Sequence, residues 1–95
     1  MTKVSRRERE ADSRKEFGTT LRAMRRTMML TQAELAALIG VKRGTLAQWE
    51  RGDTLPQPPH MRAIVAASRL PSEFVTELQA CYLDTAWDDS QEEVP

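Results

Sequence analysis

The stretch that decides the fold is residues 32–50, QAELAALIGVKRGTLAQWE, together with the threonine just before it. Thr31 and Glu34 have the capping-box spacing, in which each residue satisfies a backbone N–H group at the start of a helix. Alanine and leucine favour a helix over residues 32–39. Gly40 is expected to end that helix, because glycine readily takes the left-handed conformation. The sequence therefore predicts a short helix with two defined ends.

A second short helix is predicted after a turn of about three residues. It runs from Arg43 to Glu50, and Gly52 closes it. Leu46 and Trp49 share one side of this helix and are expected to pack against the first helix. The residues left on the outward side are Arg43, Gly44, Ala47 and Gln48. In such a helix-turn-helix, the second helix is free to enter the major groove of DNA.

Apolar residues recur at helical spacing on both sides of this motif. A helix beginning at Ser13 or Arg14 is expected to bury Phe17, Leu21, Met24 and Met28. After the proline-rich connector 54–59, a fourth helix carries Met61, Ile64 and Val65 and is broken at Leu70 and Pro71. The stripe of a fifth helix consists of Phe74, Val75, Leu78, Cys81 and Tyr82. No alternating strand pattern occurs, so the predicted fold is all-α, a compact domain of five helices.

Charge divides the chain, although its formal net charge is zero. Residues 1–62 carry 13 basic and 7 acidic side chains, whereas residues 63–95 carry 1 basic and 7 acidic ones. We predict a flexible charged arm over 1–13, the domain over 14–83 and an acidic tail over 84–95 that contains Trp87. The basic part suits a polyanion such as nucleic acid. The acidic tail should point away from DNA or be bound by a partner protein.

Composition argues against several other classes of protein. No apolar run reaches the length of a membrane span, and the charged start does not resemble a secretory signal. With one cysteine, Cys81, and one histidine, His60, neither a disulfide nor a zinc site is expected. We find no glycine-rich phosphate loop, paired catalytic carboxylates or Ser/His/Asp set, so no enzymatic activity, cofactor or metal is expected. A cytoplasmic, nucleoid-associated location is the default expectation.

The motif and its surroundings resemble the Cro- and phage-repressor-like (Xre-type) helix-turn-helix family from about Phe17 to Leu78. The matching elements are Phe17-Gly18 with Leu21 and Arg25, Leu30-Thr31-Gln32, Leu35-Ala36, Ile39-Gly40-Val41, Trp49-Glu50-x-Gly52, and Pro56. This resemblance implies a five-helix DNA-binding domain that usually acts as a homodimer on a palindromic operator. It also implies that Arg25 pairs with Glu50 inside the fold.

Carried over by position, the resemblance places base reading at the four outward residues of the second helix. Arg43 can bond two acceptors of guanine, and Gln48 can bond adenine. Gly44 has no side chain to contribute, but it permits close approach of the backbone to DNA, and Ala47 can touch a thymine methyl. The candidate phosphate ligands are Gln32, Lys42, Thr45, Arg22 and Arg51. The family usually has Ser or Thr at the helix cap, whereas this chain has Lys42, which lacks a capping oxygen. We expect a phosphate contact by Lys42 to compensate for the lost capping bond.

The predicted function is a sequence-specific DNA-binding transcriptional regulator, a repressor that acts as a homodimer on double-stranded DNA. One alternative is an antitoxin-like adaptor whose C-terminal segment binds a partner protein. A narrower alternative is a restriction-modification controller. The stripe of the fifth helix either completes the core or forms the dimer seam. Deleting residues 84–95 would separate operator binding from partner binding.

Overall fold

A computed structural model of the chain describes residues 6–68 and 72–86. The described residues form five α-helices and contain no β-strand, which confirms the predicted all-α fold. The helices are α1 (Arg6–Thr27), α2 (Gln32–Ile39), α3 (Arg43–Arg51), α4 (Pro58–Ala67) and α5 (Ser72–Ala86). Helix α1 is the longest and packs against both α3 and α5, while α2 packs against α3 and α4.

The turn that holds α2 and α3 has the predicted local chemistry. The Oγ1 atom of Thr31 accepts from the Glu34 backbone N–H at 3.1 Å, and the Glu34 carboxylate accepts from the Thr31 N–H at 2.8 Å. Gly40 ends α2 with φ of 86° and donates its N–H to the Ala36 carbonyl. Gly52 ends α3 with φ of 82°. Both ends of α2 therefore lie where the sequence predicts, and α3 extends one residue beyond its predicted end.

A single core joins all five helices. The buried apolar residues are Phe17, Leu21, Met24, Leu35, Ala36, Ile39, Leu46, Trp49, Met61, Ile64, Leu78 and Tyr82. The rings of Phe17 and Tyr82 pack with their centroids 6.0 Å apart, which fixes α5 on α1. Met28, Val41, Val65 and Cys81 are partly buried against this core. The predicted stripes are therefore confirmed as core-facing at these residues, whereas Val75 of the fifth stripe is half-buried and is not part of this core.

The predicted start of the first helix is wrong. Helix α1 begins at Arg6, so residues 6–13, which we assigned to the charged arm, are helical. Ser13 is buried, and the Arg14 Nε–H donates to the carbonyl of Gly52 at 3.3 Å. These contacts tie the early turns of α1 to the end of α3, although the residues there are too polar to show an apolar stripe.

Helix α4 begins with two prolines, at the positions where the missing N–H costs nothing. It ends at Ala67, and the predicted break at Leu70 and Pro71 lies outside the described residues. The Trp87 side chain and the rest of the predicted acidic tail beyond Ala86 also lie outside them, as does the side chain of Phe74. None of the described helices has the length and apolar character that a bilayer span requires.

Candidate nucleic-acid interface

Helix α3 presents one polar face to solvent. Arg43, Gly44 and Gln48 are exposed, and Ala47 is half-buried beside them. The opposite side of the helix is fixed by the buried Leu46 and Trp49. A helix that is buried on one side and exposed on the other has the geometry needed to enter a DNA groove. The structure therefore brings the four predicted base-reading positions together on one accessible surface.

Gly44 lies in the first turn of α3 and is unobstructed. A Cβ atom built on Gly44 would meet no atom within 4 Å, and Gly44 does not need a positive φ. The folded chain alone therefore gives no reason for glycine at this position. Glycine destabilises a helix by about 0.5–1 kcal/mol relative to alanine. A glycine at position 44 is therefore compatible with a role in contact with a bound ligand.

A buried ion pair anchors α3 to α1. The Arg25 guanidinium donates from Nε to Glu50 Oε2 at 2.7 Å and from Nη2 to Glu50 Oε1 at 3.1 Å, as the family resemblance implies. The same guanidinium donates to the Leu30 carbonyl at 2.9 Å, where the chain turns from α1 toward α2. The Arg25 guanidinium therefore connects α1, α3 and the turn that leads into α2.

The electrostatic state of Glu50 follows from opposing effects. Burial raises the pKa of the Glu50 carboxyl, but the hydrogen bonds from Arg25 and Gln32 and the charges of Arg25 and Arg22 outweigh it, so the pKa lies below its ordinary value. The hydrogen bond to Glu50 correspondingly raises the pKa of Arg25 despite burial. Glu50 is therefore ionised at neutral pH.

Gln32 connects this pair to the exposed face of α3. Its Nε2 donates to Glu50 Oε1 at 3.0 Å, and its Oε1 accepts from Arg43 Nη1 at 3.3 Å. The sequence predicts Gln32 as a phosphate ligand and gives no signal for either bond. The amide thus links the predicted guanine reader to a buried carboxylate, and it holds the Arg43 side chain over the start of α2.

The other candidate phosphate ligands are less closely grouped. Arg22 lies with Nε 3.6 Å from Glu50 Oε1 and has 42 % of its side chain exposed. Lys42 is exposed and makes no side-chain capping bond to α3, as its chemistry predicts. Thr45 is half-buried in the first turn of α3. Arg51 lies at the far end of α3 and pairs with Asp53 at 3.0 Å.

Two features near this surface were not anticipated. A Cβ atom built on Gly18 would lie 2.4 Å from the Glu50 carbonyl oxygen, so α1 and α3 approach through a glycine. The signal for it was the Phe17-Gly18 pair within an otherwise helical pattern. In addition, His60 at the start of α4 places its ring 5.8 Å from that of Trp49. No group of acidic, histidine and cysteine side chains among the described residues is arranged to hold a metal ion.

Comparison with known protein families identifies a match. A family model described as Helix-turn-helix, of the Cro/C1 type, matches residues 21–73, which is more than half of the chain. The matched range includes α2, α3 and α4 entirely and begins at the buried Leu21 of α1. No curated protein matches the chain. The match therefore covers the two-helix motif and the buried pair, and leaves most of α5 outside it.

Proposed function

Because this chain belongs to the Cro/C1-type helix-turn-helix family of DNA-binding transcriptional regulators, we propose that it is a repressor that recognises a palindromic operator as a homodimer. The observation that carries this proposal is the exposed face of α3. Arg43 and Gln48 extend into solvent from a helix whose other side is buried, so both can reach base edges without unfolding anything. Repression then follows from occlusion of a promoter, often the regulator's own.

Base reading rests on two side chains of complementary chemistry. The Arg43 guanidinium can donate to O6 and N7 of guanine, and the Gln48 amide can pair with N6 and N7 of adenine. The Arg43–Gln32 bond at 3.3 Å is exposed, so Arg43 can exchange it for a base at little cost. Gly44 lets the helix backbone approach the duplex, and Ala47 offers a methyl group to thymine. With few direct contacts, sequence-dependent DNA shape supplies part of the specificity.

Phosphate contacts position the domain without reading sequence. We assign them to Gln32 at the start of α2, to Lys42 and Thr45 at the start of α3, and to Arg22 and Arg51 on the flanks. The N-termini of α2 and α3 add favourable backbone dipoles for anions. Lys42 is exposed and makes no side-chain capping bond, so its ammonium is available to a phosphate.

A homodimer would place two copies of α3 about 34 Å apart, one turn of DNA. Leu78 and Tyr82 of α5 are buried within one chain, which favours core over dimer seam for these two residues. A dimer using α5 would therefore rely on its exposed side, where Leu83 is 51 % accessible. We also predict that the acidic segment binds a partner protein and that the protein has a cytoplasmic, nucleoid-associated location.

The direct test begins with selection of bound fragments from random duplex DNA, followed by titration of the selected operator. We expect Arg43→Ala and Gln48→Ala each to weaken operator binding by about 1–3 kcal/mol and to relax base preference at one position. Gln57→Ala is the matched control, since it removes an exposed glutamine that precedes α4 and makes no side-chain capping bond, and it should leave base preference unchanged. Unaltered affinity and preference in both α3 variants would refute the proposed readout.

The phosphate assignment has a different signature. Lys42→Ala should weaken binding to every duplex alike and reduce the dependence of affinity on salt by about one counterion. Base preference should not change. A sequence-selective effect of Lys42→Ala would instead place Lys42 at a base edge.

A further inference from the structure

An apolar groove lies between α4 and α5, away from the exposed face of α3. It encloses about 330 Å³ and is lined by Pro58, Met61, Arg62, Gln79, Tyr82 and Leu83. Met61 and Tyr82 are buried and form its base, whereas Leu83 is 51 % exposed at its edge. A leucine exposed beside an open apolar depression loses the stabilisation that burial of its surface would give. The groove is therefore suited to an apolar side chain from outside the described residues.

The groove carries one positive charge. Arg62 is exposed and forms no ion pair with any carboxylate of the described part of the chain. Its guanidinium is close enough to Tyr82 to oppose the rise in the pKa of that hydroxyl that burial produces. An occupant that combines a large apolar group with an adjacent carboxylate would complement both the groove and its arginine.

The chain itself supplies such a group next to the groove. Helix α5 ends at Ala86, and the following residues are Trp87, Asp88 and Asp89. Trp87 is four positions beyond Leu83, so its Cα lies within about 14 Å of the groove edge in any conformation. A short tether of this kind gives an effective concentration in the millimolar range or above. The remaining charged residues of the segment, Glu92 and Glu93, are also acidic.

We propose that residues 87–95 dock intramolecularly on the groove between α4 and α5, with the Trp87 indole over Tyr82 and Leu83 and an adjacent aspartate beside Arg62. The acidic residues are thereby held against the helix that carries the single exposed arginine of the groove. This docking covers an apolar surface that one chain otherwise leaves open. It needs neither DNA nor a second copy, so it is tested without operator binding. Because it covers Leu83, it excludes only a dimer formed through that residue.

The test uses the full chain labelled with 5-fluorotryptophan and observed by 19F NMR. The chain contains two tryptophans, and Trp87→Phe identifies which signal belongs to Trp87. We expect the Trp87 signal of the native protein to be displaced from its position in the urea-unfolded chain and to stay displaced across a wide range of protein concentration. The Trp49 signal reports the core and shows that each variant is folded.

Matched substitutions locate the docking site. Leu83→Ser should move the Trp87 signal toward its unfolded position, whereas Leu38→Ser, at a leucine that is 61 % exposed on α2, should not. Arg62→Gln should move the signal in the same direction, and Arg26→Gln, at an exposed arginine of α1, should leave it in place. Neither leucine is a core residue, so loss of the fold is not expected.

Three results would overturn the proposal. A Trp87 signal at the unfolded position in the native chain would mean that the indole is not docked. Displacement that develops only as the protein is concentrated would identify a second copy as the occupant. Displacement that survives Leu83→Ser unchanged would place the indole on a different surface.

Discussion

Gly18→Ala is expected to destabilise the fold by forcing α1 away from α3. The added Cβ would lie 2.4 Å from the Glu50 carbonyl oxygen, 2.6 Å from the Trp49 carbonyl oxygen and 2.7 Å from the Glu50 carbonyl carbon. All three are backbone atoms, so no flexible side chain can move aside. Restoring an ordinary separation of about 3.5 Å requires the two helices to part by about 1 Å.

That displacement has a calculable range of cost. Overpacking of a well-packed interface costs about 1–3 kcal/mol, and a gap of about 1 Å also forfeits up to half of the dispersion energy of the atoms along it. The same movement stretches the Arg25–Glu50 bonds, which span the same two helices. The higher helix propensity of alanine stabilises α1 by about 1 kcal/mol relative to glycine. We expect the free energy of unfolding to decrease by about 2 kcal/mol, which is the upper end of the steric cost less the gain in helix propensity.

Urea unfolding followed by far-ultraviolet circular dichroism measures this difference. With a slope of about 1 kcal/mol/M for a small domain, the midpoint should decrease by about 2 M. Gly44→Ala is the matched control, because its Cβ meets no atom within 4 Å and should raise stability by up to about 1 kcal/mol. A midpoint for Gly18→Ala equal to or above that of the parent would refute the close-approach argument.

Three further expectations follow from the same contacts. Glu50→Ala should cost about 3 kcal/mol in the urea assay, because it leaves the Arg25 charge buried and unpaired, whereas Asp53→Ala in the exposed Arg51 pair should change stability by less than about 1 kcal/mol. The pKa of Glu50 is lowered in the fold, so the contribution of its carboxylate to the free energy of unfolding is complete above the ordinary pKa near 4.5. That contribution is lost as pH decreases through the folded-state pKa. A Glu50→Gln variant should therefore lose less stability across the same acid range. Gly44→Ala, although more stable, should bind the operator more weakly in a titration; equal or tighter binding would exclude backbone approach to DNA at this position.

The helix-turn-helix was predictable because its determinants are local. The Thr31 and Glu34 bonds lie within one helical turn, and Gly40 and Gly52 mark helix ends by their own conformational freedom. Such signals do not depend on what packs elsewhere. The outward position of Arg43 followed in the same way, since the buried residues of α3 leave its other face exposed.

Long-range geometry was less accessible from sequence. The close approach of α1 to the backbone of α3 at Gly18 was not predicted, although Gly18 stands within an otherwise helical pattern. Which helix crosses there depends on the whole packing. The early start of α1 was missed for a related reason, because Ser13 is buried through its position rather than through apolar character.

The role of Gln32 shows how the stability and the recognition surface depend on the same atoms. Its amide donates one N–H to Glu50 and accepts from Arg43, so the second N–H of Nε2 is the donor left for a phosphate. Arg22 lies with Nε 3.6 Å from the same oxygen and has further N–H donors that can bind a phosphate. A phosphate contact from either residue therefore does not require the bonds to Glu50 to break. Lys42 is exposed and makes no side-chain capping bond, so its removal should lower sequence-independent affinity without disturbing the buried pair.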